Sequence, residues 1–276
     1  MAIFTMENDE VVVSISEHAS EIISFKDKKT GTEHMWQGNP AFWSGRNPTL
    51  FPMVGSTWNK EIVIDGKTYH MGNHGFCRNS EFTCIEHDEK NIVMELKSSK
   101  ETLEQYPFEF VLRVHYELTG SKLTITYDIT NCSDKDMPFN FGLHPAFNCP
   151  MEDGEAQKDY KLVFSNIEEY PDGITSSDGY SINLDREKLE KTIIMHNPRS
   201  SFVTLTNGKH GVKVDVVGYE WLAFWSSKNT APFVCIEPWH SHSDFEKVEV
   251  PFEKREGTKI LAKNRTFTTA YAVTIF

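Results

Sequence analysis

Glu237 and His144 are the two side chains in this sequence that are best suited to moving protons. Glu237 follows the apolar run PFVCI and precedes Pro238. Because proline cannot donate a ladder hydrogen bond, we expect the strand to end there with the carboxylate at its mouth. Partial burial beside Trp239 would raise the carboxylate pKa toward neutrality, which suits a general base. A carboxylate paired with an arginine for structural reasons is the alternative interpretation.

His144 lies in the segment FNFGLHPAFN, between an apolar run and Pro145. We expect the proline to close the strand, which would leave the imidazole at the edge or mouth of a sheet. An imidazole is the side chain that most readily donates a proton near pH 7. The alternative is a histidine packed in the core, which is the commoner fate of a lone histidine on an apolar strand.

Three further residues could bind a polar ligand. His74 and Arg78 share one short segment with Gly75, which lets the backbone turn and approach a ligand closely. Arg46 lies in a second loop rich in glycine and proline. A guanidinium offers several donors in a rigid fork that suits hydroxyls or carboxylates. A solvated loop with a surface arginine explains the same residues.

Other chemistries lack their sequence patterns. The chain has no dinucleotide-binding G-x-G-x-x-G after a strand, no P-loop and no G-x-S-x-G elbow. The five cysteines are scattered and form no C-x-x-C pair, so we predict reduced thiols and no zinc site. His240, His242 and Asp244 alternate in HSHSD, but a polar loop accounts for them better than a metal site. We therefore expect no cofactor and no metal.

The elements that must position these residues are strands. The stretch from Phe110 to Ile129 alternates apolar and polar residues on both sides of a turn, which predicts a β-hairpin. Asp65-Gly66 predicts a second tight turn. Helices are predicted only at residues 98–105, with a Ser98–Glu101 capping box, and at residues 185–191. The pattern favours an all-β fold, a large antiparallel β-sandwich forming a single domain over residues 1–276.

Composition narrows the range of partners. The 276 residues carry a formal net charge of −12, so nucleic acid and anionic membranes are poor partners. The N-terminus lacks a basic segment followed by an apolar run, and no membrane-length apolar stretch occurs. We expect a cytoplasmic protein that binds a small molecule, and the choice between monomer and homodimer stays open.

Four segments occur in one order across roughly residues 40 to 240: GRNPTLFPMVG, HGFCRNSEF, GLHPAFN and CIEPW. With these segments the chain resembles the aldose 1-epimerase family, the galactose mutarotases, and most closely its LacX-like branch. The resemblance implies a galactose mutarotase-like supersandwich with a sugar-binding cleft. It also implies cofactor-free interconversion of the α and β anomers of a sugar.

The resemblance carries over residue by residue. It implies that Glu237 in CIEPW is the general base and that His144 in GLHPAFN is the general acid. His74 in HGFCR would be a hydrogen-bonding partner of the sugar, and Arg78 with Arg46 would hold sugar hydroxyls. Three functions remain open: a mutarotase of a free hexose, a mutarotase of a hexose 6-phosphate, and a carbohydrate-binding β-sandwich that converts nothing.

Overall fold

Strands dominate the protein, as its alternating sequence predicts. The computed structural model describes residues 2–228 and 230–276. In chain order the strands are β1 (Ile3–Glu7), β2 (Val11–Ser16), β3 (Ile22–Asp27), β4 (Thr49–Leu50), β5 (Glu61–Ile64), β6 (Lys67–His70), β7 (Thr83–His87), β8 (Asn91–Lys97), β9 (Phe110–Thr119), β10 (Lys122–Asn131), β11 (Met137–Phe139), β12 (Gly142–Leu143), β13 (Ala146–Asn148), β14 (Lys161–Phe164), β15 (Ser181–Asn183), β16 (Ile193–His196), β17 (Phe202–Thr206), β18 (Gly211–Asp215), β19 (Trp221–Trp225), β20 (Phe233–Trp239), β21 (Lys259–Leu261) and β22 (Thr266–Ile275). The α-helices of the described residues are α1 (Lys100–Gln105) and α2 (Arg186–Glu190).

Two antiparallel sheets form the body of the fold. The larger has the strand order β15-β14-β17-β18-β22-β10-β9-β8-β7, and the smaller has the order β16-β19-β20-β12-β4 with β13 also paired to β20. Their inner faces pack together: Phe164 of β14 and Phe224 of β19 have ring centroids 5.7 Å apart. This confirms the predicted antiparallel β-sandwich, because apolar residues from both sheets meet in one buried cluster.

The predicted hairpins are confirmed. Strands β9 and β10 pair from Thr119↔Lys122 to Phe110↔Asn131, and the buried residues alternate along both. At the second turn, Asp65 and Gly66 both have positive φ, 50° and 74°, as the tight two-residue turn between β5 and β6 requires. The local pattern is sufficient here because a hairpin pairs neighbouring segments of chain.

The helices lie where they were predicted, with one correction. Asp185 caps α2 by accepting hydrogen bonds from the backbone of Glu187 and Lys188. The capping box of α1 is formed by Ser99 and Thr102, so both members of the predicted Ser98–Glu101 box are wrong by one residue. With Ser99 as the N-cap, the third helical residue is Thr102, whose hydroxyl accepts the Ser99 backbone N–H at 2.8 Å. No helix in the described residues is long and apolar enough to cross a membrane.

Strand β20 does not end before Pro238, as the sequence suggested, but continues to Trp239. The flanking hydrogen bonds, from Ile236 N–H to the Pro145 carbonyl and from His240 N–H to the Phe141 carbonyl, place the proline nitrogen opposite Leu143. The Leu143 carbonyl instead accepts the indole N–H of Trp239 at 3.2 Å. The strand tolerates a proline because a side-chain donor replaces the missing backbone donor.

Candidate active site

Glu237 and His144 are cross-strand neighbours on the smaller sheet. Strand β20 pairs with β12 at Gly142↔Trp239 and with β13 at Ala146↔Cys235. The same register places His144, in the break between β12 and β13, opposite Glu237. Side chains on one strand alternate between faces, so Val234 and Ile236 point into the core while Glu237 points the other way. The sheet thereby brings two distant parts of the chain into contact.

A pocket of about 380 Å³ opens over this contact. Its volume lies within the range of small-molecule sites. Its walls are aromatic and its remaining groups are polar: the lining residues are Trp43, Asn73, His74, Arg78, His144, Thr192, Trp225, Glu237 and Trp239. The structure therefore brings together four of the five predicted site residues, Glu237, His144, His74 and Arg78.

The acid and the imidazole at the base of the pocket touch each other. His144 Nε2 lies 3.3 Å from Glu237 Oε2, and the two side chains are 8% and 2% exposed. Burial raises the pKa of Glu237 well above its ordinary value, and a hydrogen bond from the Trp239 side chain opposes this rise. Burial also lowers the pKa of His144, with further lowering by His74 and Arg78. Both shifts favour a pair that holds one proton between its two members.

Aromatic rings hold the His144 imidazole in place. The Trp43 ring is inclined by 30° to it, with ring centroids 4.8 Å apart, and Trp225 contacts it edge-on at 5.4 Å. His144 Nδ1 has no hydrogen-bond partner in the described residues, although the residue is only 6% exposed. Packing rather than hydrogen bonding therefore orients the ring, and Nε2 faces Glu237 and the pocket.

His74 is held in one tautomer. The Gly55 backbone N–H donates to His74 Nδ1 at 3.0 Å, and the backbone N–H of His74 donates to the Gly55 carbonyl at 2.7 Å. Burial, assisted by the charge of Arg78, lowers the pKa of His74 to about 3. The ring is therefore neutral near pH 7, with its proton on Nε2. Since His74 lines the pocket, that N–H is a donor for a bound ligand.

The segment that carries His74 has an unusual backbone. His74 and Gly75 both have positive φ, 66° and 69°. A Cβ at Gly75 would lie 2.3 Å from the Phe51 carbonyl oxygen, so only glycine fits this close approach. Left-handed backbone at a non-glycine residue costs about 1–2 kcal/mol. Such a cost at His74 is typical of residues that a binding site needs in a fixed position.

The two arginines are placed differently. Arg78 lines the pocket, its guanidinium has no hydrogen bond or ion pair within residues 2–228 and 230–276, and burial lowers its pKa while Glu21 opposes that. Arg46 does not line the pocket: it donates to the Gln37 carbonyl at 2.8 Å, against the loop at Gly38. The structure thus brings Arg78, and not Arg46, to the ligand-sized space, and the sugar-binding roles of both stay predictions.

Four lining residues were not predicted. Trp43 and Asn73 lie just before the segments GRNPTLFPMVG and HGFCRNSEF, whereas Trp225 and Thr192 carry no sequence signal. In the apolar run WLAFW, Trp225 is indistinguishable from a core residue. In the structure it pairs with Cys235, which places its side chain on the same face of the sheet as Glu237. Thr192 follows α2 with a positive φ of 67°, where glycine is usual. A β-branched residue in this conformation is a genuine outlier.

Two clusters in the described residues have donor atoms close enough for a metal ion. One consists of His144, Cys235 and Glu237, and the other of Glu152, Glu155 and His210. The segment HSHSD is a polar loop beyond β20, as preferred from the sequence. There His240 contacts Glu220, His242 contacts the Ser243 carbonyl, and Asp244 pairs with Arg255.

Comparison with known proteins settles the family. The sequence model described as aldose 1-epimerase matches residues 2–257. The chain belongs to the aldose 1-epimerase family. The chromosomal protein LacX of Lactococcus lactis subsp. lactis is 32% identical over 295 aligned positions, which cover 98% of each protein. The resemblance seen in the four sequence segments is thereby confirmed.

Solved structures described as mutarotase-like share the fold. A galactose mutarotase related enzyme from Lactobacillus acidophilus superposes with a TM-score of 0.93 at 31% identity, over 100% of this chain and 97% of that one. A galactose mutarotase-like protein from Lactobacillus casei superposes with a TM-score of 0.91 at 27% identity, over 100% of both chains.

Proposed function

We propose that this protein is an aldose 1-epimerase that interconverts the α and β anomers of a free hexose. Glu237 takes the proton of the anomeric hydroxyl O1, and His144 delivers a proton to the ring oxygen O5. The C1–O5 bond then breaks as the C1–O1 carbonyl forms. After rotation about the C1–C2 bond, the reverse proton transfers close the ring on the opposite face and restore the pair.

The observation that carries this proposal is the 3.3 Å contact between His144 Nε2 and Glu237 Oε2 at the base of the pocket. O1 and O5 are both bonded to C1 and are therefore adjacent. A base and an acid that touch each other can reach both oxygens of one sugar without moving apart. Positioned proton transfer contributes about 10²–10⁴-fold, which is sufficient for a reaction that already proceeds in water.

The proton count of the pair suits this cycle. A carboxylate beside an imidazolium and a carboxylic acid beside a neutral imidazole both hold one proton. Ring opening converts the first arrangement into the second, and ring closure converts it back. Burial disfavours a net charge, so the buried pair favours the state with one proton over the states with two or none. With two protons the pair has no base, and with none it has no acid.

The other lining residues fit a neutral sugar. Trp43, Trp225 and Trp239 supply aromatic surface for the apolar C–H face of a hexose, while His74 and Arg78 offer donors for its hydroxyls. Arg78 is the one lysine or arginine among the lining residues that the structure describes. A phosphate dianion would bring two negative charges to a pocket that also contains Glu237, with one guanidinium to balance them. A free hexose is therefore a better substrate than a hexose 6-phosphate.

The test is polarimetry on freshly dissolved α-D-glucose and α-D-galactose. We expect the purified protein to accelerate the decay of optical rotation. With α-D-galactose as the substrate, we expect added glucose to inhibit this decay more strongly than added glucose 6-phosphate. Calorimetric sugar binding without any acceleration by the wild-type protein would instead establish a carbohydrate-binding module. The remaining expectations, a small-molecule partner and a cytoplasmic location, stay part of this proposal.

A further inference from the structure

A third reactive group, the thiol of Cys235, is buried beneath the pocket. Glu237 and Cys235 lie two residues apart on β20 and share a face of the strand. One nitrogen of His144, the Cys235 sulfur and a carboxylate oxygen of Glu237 all lie within 4.8 Å of one another. The acid–base chemistry proposed above uses only two of these three groups, and Cys235 is not a lining residue.

We propose that His144, Cys235 and Glu237 form a Zn²⁺ site that competes with the sugar for the reaction centre. The site goes beyond the mutarotase function. Only the resulting inhibition, and not the metal binding itself, rests on that proposed function. When Zn²⁺ binds, the thiol proton and the one proton of the His144–Glu237 pair pass to the buffer. The His144 nitrogen and the Glu237 oxygen then bind the metal and can no longer transfer protons to or from a sugar.

The donor set and its spacing fit this ion. Imidazole nitrogen, thiolate sulfur and carboxylate oxygen are the ligand types of protein zinc sites, with Zn–ligand distances that place tetrahedral ligand atoms about 3.3–3.6 Å apart. His144 Nε2 and Glu237 Oε2 are already 3.3 Å apart. The thiol sulfur lies within 4.8 Å of the other two atoms. It therefore needs to approach by about 1.5 Å or less, which rotation of one side-chain bond can supply.

The surroundings favour a soft divalent ion. Cys235 packs in an apolar cluster with Trp36 and Phe233, beside Trp43 and Trp225. A thiolate and a carboxylate together neutralise the two charges of Zn²⁺, so the occupied site carries no net charge in this apolar environment. Sulfur and imidazole ligands select zinc over magnesium, which prefers oxygen. His144 and Glu237 line the pocket, so the ion and a fourth ligand would enter from that side.

The metal-binding nitrogen is available because its contact is with another member of the proposed site. His144 Nε2 lies 3.3 Å from Glu237 Oε2, so a metal between them displaces no group outside the site. His144 Nδ1 has no side-chain partner in the described residues, and the residue is 94% buried. The Glu152–Glu155–His210 cluster differs in this respect. There Tyr160 and Asn207 already donate hydrogen bonds to the Glu155 carboxylate, so a metal would have to displace them.

The experiment measures mutarotation with Zn²⁺, with Zn²⁺ plus EDTA, and with Mg²⁺. We expect Zn²⁺ to raise KM in competition with the sugar, EDTA to reverse the effect, and Mg²⁺ to have none. Cys235→Ala should keep the basal rate but require at least ~10-fold more Zn²⁺ for half-inhibition, because even second-shell losses cost 10–100-fold in metal affinity. The control is Cys149→Ala, which removes another buried thiol and should leave zinc sensitivity unchanged.

A second measurement separates the metal site from the enzymatic activity. Co²⁺ bound to a thiolate gives a near-ultraviolet charge-transfer absorption, which we expect in the wild type and in Cys149→Ala but not in Cys235→Ala. The band is independent of catalysis, so a protein without mutarotase activity still tests the site. Absence of the band in the wild type, or equal zinc inhibition of wild type and Cys235→Ala, would overturn the proposal.

Discussion

Two histidine–glutamate pairs in this protein have nearly the same geometry and opposite properties. His144 Nε2 lies 3.3 Å from Glu237 Oε2, and His210 Nε2 lies 3.1 Å from Glu155 Oε2. Glu237 is almost completely buried, and burial raises its pKa. At Glu155, burial also acts to raise the pKa, but hydrogen bonds from Tyr160, His210 and Asn207 outweigh it and lower the value.

The difference shows that contact alone does not make an acid–base site. Donors supplied by the protein stabilise the ionised carboxylate of Glu155 and fix it as a structural anchor. At Glu237 the carboxyl has few donors and little water, so its proton stays exchangeable with the neighbouring imidazole. The pocket opens over the His144–Glu237 pair, where a ligand can supply hydrogen bonds that the protein does not make.

The largest expected effect is the difference in kcat between Glu237→Gln and Glu155→Gln, which each remove the carboxylate of one pair. Glu237→Gln should lower kcat by about 10³-fold, because the base is lost while the shape of the side chain is kept. Glu155→Gln should leave kcat close to the wild-type value, since Glu155 does not line the pocket. Polarimetry on α-D-galactose measures both. Comparable losses in the two variants would remove the functional distinction between the pairs.

Substitution of the two histidines should also give different kcat values for the two pairs, but the difference should be smaller than for the two glutamates. We expect His144→Asn to lower kcat by about 10²-fold, since water entering the pocket can partly replace the acid that protonates O5. His210→Asn is the matched control and should retain the wild-type rate, because His210 contacts Glu155 and Tyr160 outside the pocket. A His144→Asn variant with the wild-type kcat would exclude His144 as the proton donor.

The pH dependence of kcat/KM reports the proton count of the pocket pair. Activity requires one proton, so the rate falls on the acid side when a second proton binds and on the alkaline side when the last proton leaves. Burial lowers the pKa of His144, so the acid limb should lie below the ordinary histidine value of about 6.5. An acid limb at or above this value would contradict the direction of the shift.

Loss of the His74 Nε2–H donor, which lines the pocket, should weaken sugar binding more than it lowers kcat. His74→Asn removes the Nε2 donor, and asparagine tolerates the left-handed backbone at this position. The loss of one hydrogen bond, about 1–1.5 kcal/mol, corresponds to roughly a tenfold rise in KM with kcat little changed. Initial rates at varied sugar concentration test this. The control is His70→Asn, at an exposed histidine of β6, which should change neither constant.

The smallest expected effect is on thermal stability, with opposite pH dependence for the two carboxyls. The pKa of Glu155 is lowered in the folded state, so its stabilisation is present above the unfolded pKa of about 4.3 and is lost as pH falls. Glu155→Gln should therefore lower Tm at pH 7 by about 2–4 °C, the shift for ~1 kcal/mol, and by less at acid pH.

Glu237 should show the reverse in the same melting experiments. Its folded-state pKa is raised, so its contribution is present below the unfolded pKa and is lost as pH rises toward the folded value. The Tm of Glu237→Gln relative to wild type should therefore increase as pH rises from about 4.3. Parallel curves for the two variants would mean that the pairs do not differ in the way described.

Local patterns in the sequence determine most of the secondary structure. The hairpin of β9 and β10, the Asp65-Gly66 turn and the Asp185 cap of α2 all depend on residues close together in the chain. The one-residue error at the cap of α1 has the same origin, because Ser98 and Ser99 are equivalent candidates until the helix axis is set. The motifs around Glu237 and His144 likewise identify which residue types can move protons.

Tertiary structure alone decides which of these residues meet. The contact between Glu237 and His144 depends on strand register, and a register shifted by one residue would turn their side chains to opposite faces. Trp225 joins the pocket through the same sheet, whereas Arg46 is drawn away from it by the Gln37 carbonyl. The sequence determines which residue types are present to move protons. The direction of a side chain and its burial away from water are fixed only when distant strands pack together.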